Sequence, residues 1–182
     1  MARIAPIDPP YAPETQKLFD LVMPDGMEPL ALFRILARSA RLFPRFMRAG
    51  VLDRGPVPIR DREIVIHRTT ALCGAEYEWG VHAAAFGRPL GLGDEVLRAT
   101  VDAEADDPAF DDRQRVLVRM CDELHASARI TDATWQALED RYDELQILEL
   151  IYTAGMYHAV SFLANGLEIE AEPFALRFDD VR

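Results

Sequence analysis

The chain is poor in cysteine. Its 182 residues include only Cys73 and Cys121, far apart and at no metal-ligand spacing, which excludes a disulfide framework and a zinc knuckle and suits a reducing compartment. It also lacks an uninterrupted apolar run. The most apolar stretch, Leu150 to Leu167, contains His158, Ser161 and Asn165 and has no flanking basic anchors, so a buried central helix is expected there and no membrane association. The opening residues, MARIAPIDPPYAPE, carry Asp8 and four prolines. A secretory apolar segment does not tolerate these, and a cytoplasmic protein is the expectation. Positive charge is in deficit as well: 20 Lys and Arg stand against 31 Asp and Glu, a formal net charge of −11. Such a field repels phosphate backbones, so no nucleic-acid partner is expected. An anionic ligand would need a local basic pocket. Arg34, Arg38, Arg41, Arg45 and Arg48 recur every three or four residues and could form one, although a solvated helix face explains the same spacing.

What is present suffices for a core: 49% of the residues are hydrophobic, enough for one domain to fold without staples. Residues 1 to 13 should form an extended arm, free to wrap a neighbouring subunit, because proline denies them helical hydrogen bonds. Glu14 to Met23 predicts a short helix closed by Pro24-Asp25-Gly26, and Leu30 to Ala49 a longer helical region broken before Pro44. The Gly- and Pro-containing turn Asp53 to Pro58 divides an N-terminal arm and helical extension, residues 1–55, from a main domain, residues 56–182.

In Ile59 to Leu72 the period leaves helix and strand open, and length favours helix. Gly74 breaks the chain, and Ala75 to Phe86 follows as a second helix stopped by Gly87, Arg88 and Pro89, so the two make a helical hairpin. Val116, Leu117, Met120, Cys121 and Leu124 recur at helical spacing. Thr131 can cap a helix to about Tyr142, and Leu145 to Leu163 is apolar nearly all round and should be central. No alternating strand, hairpin turn or internal repeat stands out, so the predicted fold class is all-α, a helical bundle.

Glu63 and His67 stand four apart on one of these helices, and Glu78 and His82 four apart on the next, so each pair shares a face. Counting back from Gly74 at about 1.5 Å per residue sets His67 level with Glu78 to His82, and Glu63 one turn beyond. A carboxylate beside an imidazole can hold its tautomer or exchange a proton, as general acid–base chemistry requires. The same spacing also serves as an ordinary helix contact. The four side chains could in principle hold a divalent metal, but di-iron bundles space Glu and His by three, so no metal and no cofactor are expected.

The string Arg62-Glu63, then Cys73-Gly74-Ala75-Glu76-Tyr77-Glu78-Trp79 and His82, resembles the signature of the carboxymuconolactone decarboxylase and alkylhydroperoxidase D superfamily. The likeness is best from Pro58 to Gly87 and continues weakly through Tyr157 and Asn165-Gly166. The resemblance implies an alkylhydroperoxidase D-like helical bundle, a homo-oligomer of three or six chains, a small-molecule substrate, and Glu63, Glu78 and His82 as catalytic residues. Aligned on His82, Ala75 and Glu78 fall where the related peroxidases carry their two cysteines. A disulfide-cycling peroxidase needs one thiolate to attack peroxide and a second to resolve the sulfenic acid, so a cofactor-independent lyase acting on a small carboxylated or lactone substrate is the first expectation. A thiol peroxidase or antioxidant protein using Cys73, acidified at a helix N-terminus, is the second, and a non-catalytic oligomeric binding protein the third. Tyr77, Trp79 and His67 are expected to line the pocket or support it from behind. His125 and His158 are expected to be structural.

Overall fold

The first helix of the expected hairpin, α4 (Ile59–Leu72), is buried on every side from Asp61 to Thr70. That explains its indistinct period: a helix with neighbours all round needs no polar face. The computed structural model describes residues 2–50 and 53–182, and within them every regular element is helical. Ahead of α4 lie α1 (Pro13–Val22), α2 (Ala31–Leu36) and α3 (Phe43–Ala49); behind it come α5 (Glu76–His82), α6 (Asp94–Asp102), α7 (Asp112–Ser127), α8 (Asp132–Glu139) and α9 (Glu144–Gly166). The chain closes on a short 3-10 turn, Phe178–Asp180. Helices α5, α6, α7 and α9 pack around α4.

The hairpin between α4 and α5 turns where expected. Gly74 has φ +61, the left-handed conformation that closes helices and that a side chain disfavours, and the Ala75 N–H donates back to Thr70 O at 2.8 Å. The α5 helix runs on into a π-helical turn, Ala83–Gly87, in which the Arg88 N–H reaches Ala83 O at 3.0 Å. Gly80 is needed for a different reason: a Cβ there would lie 2.0 Å from Leu176 O, so the C-terminal segment is laid directly on the backbone of α5.

The N-terminal extension covers one end of the hairpin. Phe19, Leu32, Ile35, Leu36 and Phe43 share one apolar cluster with Ile66, Tyr77, Val81 and Tyr157. The arm does not reach outward: the Arg3 N–H donates to Leu167 O at 2.8 Å and the Ile7 N–H to Arg34 O at 3.3 Å, so it lies along its own chain. The arginine stripe is broken too. The helical run stops between α2 and α3, and Pro44 sits in the first turn of α3, where proline removes no intrahelical bond. Arg34 is used internally, paired with Glu28 and Asp8, while Arg45 and Arg48 bond to Arg41 O and Pro44 O of their own turn.

Helix α9 corrects an expectation. It is long and apolar enough to cross a membrane by length and composition, and its inner face packs against α4 and α5. It is not enclosed, however: Leu145, Leu148, Tyr152 and Phe162 are exposed, Leu148 by 65% and Phe162 by 71%. With the exposed Gly155, Ala159 and Gly166 they recur at alternating steps of three and four, one narrow seam along the helix. Helix α8 ends at Glu139, before the expected Tyr142, because Tyr142 turns inward to donate to Asp61 Oδ2 at 3.1 Å.

Candidate active site

Helix α4 carries an unusual load for a core element: Asp61, Arg62, Glu63, His67, Arg68, Thr69 and Thr70 are all buried. Burying polar groups costs free energy unless they are paired, so their partners define their roles. Two of them tie α4 to α7. Arg68 meets Asp122 at 2.6 Å, and Asp61 accepts an ion pair from Arg113 at 2.7 Å. The others converge on α5. His82 Nδ1 lies 2.8 Å from Glu63 Oε2, with Glu63 0% and His82 2% exposed. The imidazole is thus neither turned into solvent nor parted from the carboxylate by hydrocarbon, and the pairing counted from the helix rise is present.

On its other nitrogen, His82 Nε2 stands 3.0 Å from the Tyr157 hydroxyl of α9 and 3.5 Å from Glu78 Oε1. Arg62 supports the carboxylate from behind, Nη2 to Glu63 Oε1 at 3.4 Å. Phe86, carried by the π-helical turn, stacks on the His82 ring with centroids 5.1 Å apart. Insertions of this kind often re-aim a side chain at a functional site. Two buried polar atoms here have no hydrogen-bond partner among the described residues: Glu78 Oε2 and His67 Nε2. Such atoms call for a ligand, a water or a proton to complete them.

The electrostatics separate the two histidines. Burial works against a charge on His82, but the Glu63 carboxylate and its hydrogen bond, with Glu78 behind, outweigh it and hold the imidazole up at about 9. Burial would raise Glu63, yet the His82 charge and hydrogen bond and nearby Arg62 leave it below the ordinary carboxylate value. His67 has no such partner. Its Nδ1–H donates to Glu63 O at 2.5 Å, and burial pushes its pKa down to about 4, so it stays neutral. Tyr157 is pushed well above its usual value by burial and by Glu78 and Glu63 and remains a phenol. At neutral pH the cluster is therefore an imidazolium clamped by one carboxylate, with a phenol and a second carboxyl group at its free nitrogen.

The remaining expected residues sit around this relay. Trp79 is fully buried in the core, donating to Thr100 Oγ1 at 3.1 Å, with its ring edge-on to His67. Tyr77 donates to Glu172 at 2.7 Å and accepts from the Leu32 N–H at 3.2 Å, which ties the N-terminal extension to α5. Cys73 departs from expectation. It caps the C-terminal end of α4, where the helix dipole disfavours a thiolate, and burial raises its pKa. Its thiol is grouped with His125 and His158. Cys121 is fully buried, its thiol pushed up to about 12 by burial. Two clefts, of about 390 and 430 Å³, are lined by residues of the extension such as Met23 and Glu28, or Arg45 and Arg48. Neither reaches His82.

Tyr157 and Phe86 complete the site without a spacing signal in the sequence. The one trace of Tyr157 is its place in the weak family likeness along α9.

The molecule is an all-α bundle with a buried Glu–His–Tyr cluster at its centre. No family model and no curated protein matches the sequence. Among solved structures, the chain is similar to an uncharacterized peroxidase-related protein from a Silicibacter species, at TM-score 0.81 and 18% identity over 96% of this chain and 93% of that one. It is similar also to a second such protein, described as an alkylhydroperoxidase AhpD core, from Ralstonia eutropha, at 0.79 and 17% over 94% and 93%. The apo form of the debrominase Bmp8 matches at 0.78 and 10% over 98% and 97%. The chain has the alkylhydroperoxidase D-like fold, as the sequence resemblance implied.

Proposed function

We propose that the chain is a cofactor-independent acid–base enzyme of the lyase type, acting on a small carboxylated or lactone substrate. The supporting observation is the buried Glu63–His82–Tyr157 relay, which stands where relatives of the peroxidase type would place a thiol chemistry that Ala75 and Glu78 cannot perform. In a decarboxylation, the bond to the carboxylate breaks, carbon dioxide leaves, and the electron pair spreads into a dienolate. His82 then transfers its Nε2 proton to carbon and becomes neutral, while Glu63 keeps the Nδ1–H oriented. The proton is restored from solvent through Tyr157 or Glu78.

The chain is further read as a homo-oligomer of three or six copies. The seam from Leu145 to Gly166 on α9 has the heptad spacing by which helices of separate copies interlock, and the occupant proposed for it is a second copy of the chain.

A peroxidase reading draws on the relatives' names and would rest on Cys73; the raised thiol pKa and the absence of cysteine from both aligned positions, Ala75 and Glu78, count against it. The purified protein, assayed for lactone decarboxylation and for peroxide consumption beside Glu63→Gln, His82→Ala and Cys73→Ser, separates the readings. Decarboxylation lost in the first two variants and kept in the third is the expected result. Decarboxylation that survives His82→Ala, or peroxide turnover abolished by Cys73→Ser, would overturn it.

A further inference from the structure

Away from the relay, three helices bring a second set of reactive side chains together. Cys73 ends α4, His125 lies in the last turn of α7 and His158 belongs to α9, and their ligand atoms all lie within 4.8 Å of one another. The three come from distant parts of the chain, so no local spacing brings them together.

The nitrogen geometry is specific. His158 Nδ1 lies 2.9 Å from Ala154 O, which fixes its proton on Nδ1 and leaves the Nε2 lone pair outward. Nε2 in turn is 3.1 Å from His125 Nδ1. Metal-bound histidines are characteristically oriented in this way, with the second ring N–H given to a backbone carbonyl. In a tetrahedral zinc site, with Zn–S about 2.3 Å and Zn–N about 2.0 Å, ligand atoms are separated by roughly 3.3 to 3.6 Å. The histidine pair is already near that distance, and His125 is exposed, so its side chain is free to complete the contraction. The Cys73 backbone is held in place, its carbonyl accepting from Asn165 Nδ2 at 2.8 Å.

We propose that Cys73, His125 and His158 bind a divalent transition-metal ion of the zinc type. One thiolate and two imidazoles supply three of the four tetrahedral positions, and solvent or a ligand takes the fourth. Binding displaces the Cys73 proton to solvent and clamps the C-terminal ends of α4 and α7 to the body of α9. The site is separate from the Glu63–His82 relay and uses none of its residues.

The test is titration of the metal-free full chain with Co²⁺, and then with Zn²⁺ in competition. The expected result is one ion per chain, a thiolate-to-cobalt charge-transfer band in the near ultraviolet, and a rise in thermal midpoint on adding Zn²⁺. Cys73→Ser should abolish the band, and His125→Ala should weaken binding by on the order of 10-fold or more. His82→Ala should leave both unchanged, which separates failure here from failure of the proposed acid–base reaction. His125 is exposed, so its variant stays informative even if Cys73→Ser fails to fold. An absent charge-transfer band in the unaltered protein, or Co²⁺ affinity unchanged in His125→Ala, would overturn the proposal.

Discussion

Replacing Glu63 by Gln should remove the alkaline limb of the stability profile and leave much of the acid limb in place. In the folded chain His82 holds its proton up to about 9 against an ordinary 6.5. Between those values the folded state keeps a proton that the unfolded chain has released. The contribution is therefore fully present below 6.5 and lost as pH rises towards about 9. Each tenfold change in the proton equilibrium is about 1.4 kcal/mol, so the limb amounts to roughly 3 kcal/mol. His67 acts in the opposite sense. Folding keeps it neutral down to about 4 against an ordinary 6.5, so its contribution is present above 6.5 and is lost as pH falls through that interval. Glu63, held below 4.5, adds stability above 4.5 that is lost as pH falls through its folded value. These groups together set maximum stability near pH 6.5. In Glu63→Gln the carboxylate that does most to raise His82 is gone, burial is opposed only by Glu78, and the His82 pKa falls. Urea unfolding free energies from about pH 5 to pH 9.5, with the His82 ring followed by NMR, would measure both effects. A variant whose stability still falls in parallel with the parent between 6.5 and 9, or whose His82 still titrates near 9, would refute the reasoning.

Two further perturbations test the scaffold around the relay. Gly80→Ala puts a methyl 2.0 Å from Leu176 O, which no rotamer relieves because the obstacle is backbone; a loss on the order of 3 kcal/mol in urea unfolding is expected, with release of the Trp79–Phe178 ring contact in the near-ultraviolet circular dichroism. Phe162→Glu places a charge towards the C-terminal end of the exposed α9 seam, and light scattering should show the proposed assembly reduced to single chains; an unchanged mass would show that this face does not join copies.

The α4–α5 hairpin was legible because its signals are local: a glycine at the one backbone position that needs positive φ, and two Glu–His pairs whose spacing fixes a common face. A rise of about 1.5 Å per residue was enough to place Glu63 within side-chain reach of His82. The reading was weaker wherever the answer depended on a distant partner. Helix α6 is only nine residues long with no side-chain cap at Gly93, and only the acidic Asp94 and Glu95 of its first turn mark its start. Helix α9 reads as central because apolarity alone does not distinguish a face packed in the core from one left exposed. Cys73 was misplaced for a related reason. Its position three residues before the start of α5 suggested an acidifying helix N-terminus, whereas its backbone belongs to the C-terminal end of α4. Tyr157, 75 residues beyond His82 in the chain, reaches the site only through the packing of α9 on α5.

The polar content of α4 sorts into two kinds, and the difference bears on function. Asp61 and Arg68 find opposite charges on α7 at positions where the partner retains solvent contact, Arg113 by 48% and Asp122 by 26%. Such pairs hold helices in register at modest net gain. Glu63 and His82 are both withdrawn from water, and a buried pair of this kind is often replaceable by hydrocarbon with no loss of stability, or with a gain of about 1 to 4 kcal/mol. Packing alone therefore gives no reason for the chain to carry it. Nor does packing explain why Glu78 Oε2 and His67 Nε2 are left without partners around an imidazolium whose free nitrogen faces a phenol. A core built only to be stable would have closed those valences or omitted them. The proposed acid–base reaction is a setting in which a ligand or a water would fill those valences.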